Sequence, residues 1–158
     1  MKKSTMIAMD AADRRILRAL QRDGRMAITA LAEEVGLSAT PCQRRVKRLE
    51  ELGVIAGYTA RITPARVGLP LQAFVQVALE SHSEEVAGRF HAALSLRPEV
   101  VAAYTMSGEM DYLLHVLAPD MEAFGDFATR ALLRMPGVKE TRSSFVLATL
   151  KEAGEIAV

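Results

Sequence analysis

A run of basic and hydrogen-bonding side chains at residues 38–51 is the part of the sequence best suited to bind a ligand. In a predicted helix over 39–52, Cys42, Val46 and Leu49 recur at i, i+4 and i+7 and predict the buried face. The opposite face is polar and cationic. Threonine and glutamine can hydrogen-bond to base edges, arginine can pair with guanine, and lysine or arginine can neutralise phosphates. This pattern predicts insertion into the major groove of double-stranded DNA.

The polar residues of this helix divide by position. Recognition helices usually read bases with their N-terminal residues, and a helix N-terminus can also hold a phosphate. A solvated basic helix without a ligand is the alternative interpretation. We assign base reading to Thr40, Gln43 and Arg44, and phosphate contacts to Arg45, Lys47, Arg48 and the helix start at Ser38 and Thr40.

Two shorter helices are predicted to support this one. Residues 10–21 form the first, with Asp10 or Asp13 as a cap, and residues 29–35 form the second, with Thr29 as a cap. A short turn containing Gly36 follows, as in a helix-turn-helix. Residues 1–68 carry a net charge of +6 and residues 69–158 one of −5, so the two halves are expected to meet different partners.

The β-branched stretch 54–62 predicts a strand, either a wing or a hinge. We therefore expect a flexible arm over 1–9, a helix-turn-helix domain over 10–62, a linker over 63–70 and a second domain over 71–158.

The second half predicts two β-α-β units. Strands are expected over 71–80, 100–106, 112–117 and 138–150, and helices over 83–96 and 120–133. This order is the ferredoxin-like plan, an antiparallel sheet with helices on one face, so the fold class is α+β. Because the strands are strongly apolar, we expect a second copy to cover the open sheet face.

No catalytic set, metal site or cofactor motif emerges. Cys42 is the single cysteine, the three histidines are scattered, and the carboxylate pair Glu109 and Asp111 lacks a third ligand. The sequence therefore predicts that the chain is not an enzyme. No apolar run is long enough to cross a membrane, and residues 1–9 are too short for a signal-peptide core, so we expect a cytoplasmic, nucleoid-associated protein.

At this point the motifs resemble a known family. GLSATPCQRRVKRLE at 36–50, together with segments 13–17, 20–25 and 57–60, resembles the DNA-binding domain of Lrp/AsnC (feast/famine) regulators. SGEMDYLL at 107–114, with segments 119–121 and 133–138, resembles their regulator-of-amino-acid-metabolism domain. The resemblance spans residues 10–152 in one colinear order.

The resemblance implies a transcriptional regulator of amino-acid metabolism, forming homodimers that assemble to tetramers or octamers, with a free amino acid bound between dimers. Leucine-responsive members tend to carry Thr-Tyr-Val-Val where this chain has Ser143 to Val146, so leucine is not singled out. An architectural DNA-binding protein without an effector is the alternative. The implied effector residues are Ser107, Gly108, Glu109, Asp111, Met121, Leu133, Ser144, Phe145 and Val146.

Four of these residues have chemistry that suits an amino acid. Gly108 would let the ligand carboxylate approach backbone N–H groups, Asp111 could pair with its ammonium, and Phe145 and Met121 could contact its side chain. A turn-capping carboxylate at Asp111, and plain helix core at Met121 and Leu133, are the alternatives.

Overall fold

A computed structural model describes residues 7–152 and 154–158 and divides them into two units. One unit contains the described residues up to Arg61 together with those from Lys151 onward, and the other contains Ile62–Leu150. The expected second domain covered all of 71–158, whereas in the structure the described residues from Lys151 onward belong with the helices. Of the expected arm, residues 1–6 lie outside the described residues, and Met9 packs against the helical core.

Three helices form the body of the first unit. Asp10 caps the first, where its carboxylate accepts from the Asp13 backbone N–H at 2.8 Å and the Asp13 carboxylate accepts from the Asp10 N–H at 3.2 Å. This reciprocal capping box satisfies two of the N–H groups that a helix start leaves open. The helices are α1 (Ala11–Arg22), α2 (Ile28–Glu34) and α3 (Ala39–Glu51).

The turn between α2 and α3 sets the position of α3. Gly36 adopts φ +70°, a conformation that favours glycine, and the Leu37 N–H returns to the Ala32 carbonyl at 2.8 Å. Ser38 occupies the N-cap of α3, although its side chain makes no capping bond. The predicted cap at Thr29 is wrong, because α2 begins one residue earlier and Ala27 stands at its N-cap.

The strand predicted over 54–62 is wrong. In the part of this unit that the structure describes, no strand is available to pair with it. The Val54 and Ile55 N–H groups instead donate to the Leu49 carbonyl, at 2.9 and 3.1 Å, and close the end of α3. Both side chains pack against the helical core, which explains their apolar character. In the expected linker, Pro64–Val67 forms a short 3-10 helix.

The second unit is an antiparallel four-stranded sheet with helices on one face, and the predicted α+β fold class is confirmed. The strand order is β2-β3-β1-β4. Alternate β1 residues, including Ala73, Val75 and Val77, are fully buried against the helices. The elements are β1 (Leu71–Leu79), α4 (Glu84–Ser95), β2 (Val100–Thr105), β3 (Tyr112–Ala118), α5 (Met121–Asp126) and β4 (Val138–Phe145).

The helix predicted over 120–133 is continuous only as far as Asp126. A π-helical turn at Phe127–Ala131 and a 3-10 turn at Leu132–Arg134 follow it. The wide π turn brings Phe127 and Leu132, which are five residues apart, into the same core. The last strand is also shorter than predicted, because pairing with β1 stops at Phe145 and the Val146 N–H makes one further bond to Gln72.

The other sheet face carries the side chains of β1 that point away from the helices. Phe74 is 38% exposed and stacks on His115 of β3 with ring centroids 4.9 Å apart. The covering of this face by a second copy stays a prediction. None of the helices described here has the length and hydropathy required to cross a bilayer.

Candidate DNA interface and effector site

The exposed face of α3 carries most of the predicted DNA-binding residues. Cys42 and Leu49 are fully buried and fix this helix against α1 and α2. Arg44 makes no ion pair within the described residues, and Lys47 makes only a 3.6 Å pair with Glu51, one turn later. This face can therefore offer cations and hydrogen-bond donors to a polyanion. The predicted DNA-binding residues that are exposed are Ser38, Thr40, Gln43, Arg44, Lys47 and Arg48.

Two of the predicted phosphate contacts are instead paired inside the unit. Arg45 donates to Asp13 at 2.9 Å and to Asp10 at 2.7 Å, and Arg48 donates to the other Asp13 oxygen at 2.5 Å. The Asp13 side chain is 1% exposed, against 30% for Arg45 and 46% for Arg48. Asp13 therefore links α1 to α3 and fixes the rotation of α3 about its own axis, which decides where its basic face points.

The electrostatics of this cluster follow from these bonds. The Asp13 backbone N–H and the Arg45 guanidinium hold the pKa of Asp10 below its usual value. The bonds to Asp10 and Asp13 raise the pKa of Arg45. Sequence reasoning missed Asp13 as a partner of α3. The available signal was a carboxylate next to Ile16 and Leu17, on the apolar side of α1.

The turn between β2 and β3 holds the first group of predicted effector residues. The Asp111 carboxylate accepts from the Leu79 N–H at 2.7 Å, and its second oxygen lies 3.2 Å from His82 Nδ1. Gly108 has φ +146° and leaves the turn backbone open, and Ser107 lies in the same turn. Asp111 therefore closes the end of β1, as the turn-capping alternative expected.

Arg142 of β4 joins this turn to the edge of the sheet and was missed in the sequence. It donates to Glu109 at 3.3 Å and to Glu140 at 2.8 Å, and these bonds, the one to Glu140 first, raise the pKa of its guanidinium. All three side chains are largely exposed. The sequence signal was a cation two residues before Ser144.

The second group of predicted effector residues lies at the far end of β1. Phe145 packs edge-on against Phe124 with ring centroids 4.9 Å apart, and Met121 is 56% exposed beside it. They line a surface cavity of about 360 Å³. The complete lining is Pro70, Leu71, Gln72, Pro119, Asp120, Met121, Phe145 and Val146.

The two groups are not brought together within one chain. Tyr112, next to the turn, pairs with Val77, whereas Phe145 pairs with Ala73. Four residues of extended strand separate those positions by about 13 Å. Ser144 lies across from Phe74 in the register with β1, and Leu133 lies in the 3-10 turn that precedes β4.

Two family models account for most of the chain. The AsnC-type helix-turn-helix domain matches residues 9–50, and the Lrp/AsnC ligand binding domain matches residues 72–156. The chain belongs to the Lrp/AsnC family. The predicted resemblance is thereby confirmed, and so is the helix-turn-helix, whose match ends within α3.

Curated and solved Lrp/AsnC proteins resemble this chain along almost its whole length. The leucine-responsive regulatory protein of Salmonella typhimurium is 39% identical over 150 residues, which cover 95% of this chain and 92% of that protein. An AsnC family transcriptional regulator from Agrobacterium tumefaciens is 41% identical, with a TM-score of 0.87 and coverage of 94% and 96%. Because these relatives regulate transcription, the prediction that the chain is not an enzyme is confirmed.

A third relative was solved with an amino acid. This transcriptional regulator from Neisseria meningitidis, in complex with L-Met, is 38% identical, with a TM-score of 0.90 and coverage of 94% of this chain and 96% of that one. The chain is accordingly an Lrp/AsnC-family transcriptional regulator with a ligand-binding domain.

Proposed function

We propose that this regulator reads specific DNA sequences with α3 and that a free amino acid, bound where two copies meet, modulates that binding. It would act as a homo-oligomer in the cytoplasm, on genes of amino-acid metabolism. The observation that carries the DNA-binding part of this proposal is the row of exposed polar and cationic side chains on α3, opposite the fully buried Cys42 and Leu49. Such a row matches the donor and acceptor pattern of a major groove.

The internal ion pairs refine the roles along α3. Arg45 is the least exposed cation of the set and is held by two carboxylates, so we assign it to positioning the helix. Arg48 is shared between Asp13 and a phosphate. Lys47 and the helix start at Ser38 supply the remaining phosphate contacts, while Thr40, Gln43 and Arg44 read bases.

Replacing Arg44 tests the DNA-binding part. Arg44→Ala is expected to weaken specific binding by about 1–3 kcal/mol and to relax base choice, because a bidentate contact to a base is lost. Lys47→Ala should weaken all sequences alike and reduce the salt slope by about one. Arg89→Ala is the matched control, since Arg89 is exposed on α4 and pairs only with Glu85 one turn before.

The assay is a footprint and a titration on upstream genomic fragments, read at several salt concentrations. A footprint of Arg44→Ala that matches the wild type would contradict the assignment of α3 to the major groove. The Arg89→Ala variant should give the wild-type footprint.

The separation of the two effector groups supports a pocket completed by a second copy. One copy would contribute the turn with Gly108, whose open backbone suits a carboxylate, and the other the cavity beside Met121 and Phe145, which suits an apolar side chain. Asp111 keeps one oxygen on the Leu79 N–H and offers the other, now beside the exposed His82, to the ligand ammonium. The L-Met complex of the Neisseria relative supports this ligand class.

A thermal-shift screen against the common amino acids, coupled to light scattering, tests the effector. At least one amino acid should raise the melting temperature and shift the oligomer distribution, since a ligand stabilises the state that binds it. Asp111→Asn, which keeps an oxygen for Leu79, should leave DNA binding intact and remove that response. If no amino acid changed the melting temperature or the oligomer distribution, an architectural DNA-binding protein without an effector would be favoured.

A further inference from the structure

The side of α1 that faces the segment after α3 lines an apolar groove, and Ile156 and Val158 of the segment Gly154–Val158 lie along it and leave a cavity of about 290 Å³ beside them. We propose that this groove is a binding site for an extended peptide, and that the chain's own Gly154–Val158 is its ligand. This inference does not rest on the proposed function. The groove is lined by Met9, Leu17, Leu20, Gln21, Val54, Ile55, Ala56, Gly57 and Tyr58, with Ile156 and Val158.

Gln21 recognises the backbone of the segment at two points. Its Nε2 donates to the Ile156 carbonyl at 3.1 Å, and its Oε1 accepts from the Ile156 N–H at 2.6 Å. The side-chain amide thus makes the donor and acceptor pair that a neighbouring β-strand would make. Such a pair fixes an extended peptide in register without depending on its side chains.

Arg18, three residues earlier on the same side of α1, holds the next contact. Its Nε and Nη2 both donate to the Val158 backbone oxygen, at 3.1 and 2.6 Å. Three helical residues rise about 4.5 Å, and two extended residues about 7 Å, so the long side chains of α1 reach both positions. Two long side chains of α1 therefore hold alternate residues of the segment, Ile156 and Val158.

The side chains of the segment supply the apolar part of the contact. Val158 is half-buried and packs against the helical core of this unit, whereas its neighbour Ala157 is exposed. Before the segment, the exposed side chains of Arg61 and Glu152 lie 3.9 Å apart. One partly buried apolar side chain at Val158 and side-chain contacts to the backbone of two alternate residues describe a peptide site that the chain's own segment occupies.

Hydrogen exchange of the full chain, followed by NMR, tests the contact directly. The Ile156 amide should exchange at least about tenfold more slowly in the wild type than in Gln21→Ala, because its acceptor is the Gln21 oxygen. The protection should not change on dilution, since the segment belongs to the same chain. A wild-type Ile156 amide that exchanges as fast as in Gln21→Ala would overturn the proposal. Protection that falls on dilution would overturn the same-chain assignment.

A matched pair of variants tests the groove. Val158→Asn puts a polar side chain into the apolar groove and should lower the melting temperature of the first unit by several degrees, whereas Ala157→Asn faces solvent and should not. A free peptide with the sequence of residues 151–158 should restore part of the loss in Val158→Asn, and the same peptide with asparagine at the last position should not. Equal melting temperatures for the two variants, or no rescue by the matching peptide, would overturn the proposal.

Discussion

Asp13→Asn should destabilise the first unit strongly, although it changes only one oxygen to an amide. Asp13 is fully buried and accepts from Arg45, Arg48 and the Asp10 N–H. Removing one partner of a buried ion pair typically costs ~3–5 kcal/mol, because the remaining charge stays desolvated. Here the two arginines keep 30% and 46% exposure and can rehydrate in part, so we expect about 3 kcal/mol.

Thermal and urea unfolding, followed by circular dichroism, measure this loss. About 3 kcal/mol corresponds to a fall of roughly 12–24 °C in the melting temperature of a unit of this size, which a typical total stability of ~5–15 kcal/mol survives. Asp10→Asn is the matched control, because asparagine caps a helix as well as aspartate does and Asp10 is exposed. If the melting temperature of Asp13→Asn equalled that of the wild type, or was no lower than that of Asp10→Asn, the buried ion pairs of Asp13 would not stabilise the contact between α1 and α3.

Two further predictions follow from pKa values in the first unit. Burial and then the bond to Glu50 raise the pKa of Tyr58 to about 12, against 10 in the unfolded chain. The contribution of Tyr58 to the free energy of unfolding should therefore be fully present below pH 10 and decline between pH 10 and 12. Urea unfolding midpoints measured over that range should fall in the wild type and not in Tyr58→Phe. An equal fall in Tyr58→Phe would contradict the assignment. Burial also raises the pKa of the Cys42 thiol. Ellman's reagent should react at least about 100-fold more slowly with native than with unfolded protein, and fast native labelling would refute the buried position.

The helices and strands, and their order along the chain, could be predicted because each element rests on local periodicity. The repeat of Cys42, Val46 and Leu49 predicted the inner face of α3, and the strand predicted over 71–80 corresponds to β1. The stretch 54–62 failed for a physical reason, since β-branched residues favour a strand only when a partner strand exists. Its apolar side chains serve the helical core instead.

The site was less predictable than the fold. Helical spacing places Arg45 on the polar face of α3, but only the three-dimensional contact with α1 brings Asp10 and Asp13 to it. The separation of Asp111 from Phe145 likewise follows from strand register, which the sequence of a single strand does not encode. The two bonds of Arg45 join residues more than 30 positions apart along the chain.

The placement of the described residues after Leu150 with the helices affects how this protein can be divided. In a fragment that stops at Arg61, apolar side chains of α1 would be exposed to solvent. The side chains of Arg18 and Gln21 would also lose their hydrogen-bond partners in the last residues. After proteolytic cleavage within 62–70, the last residues of the C-terminal piece should still bind the helices of the N-terminal piece. The two pieces should therefore elute together in size-exclusion chromatography. A reporter fused after Val158 would therefore crowd the surface of α1 that Arg18 and Gln21 occupy.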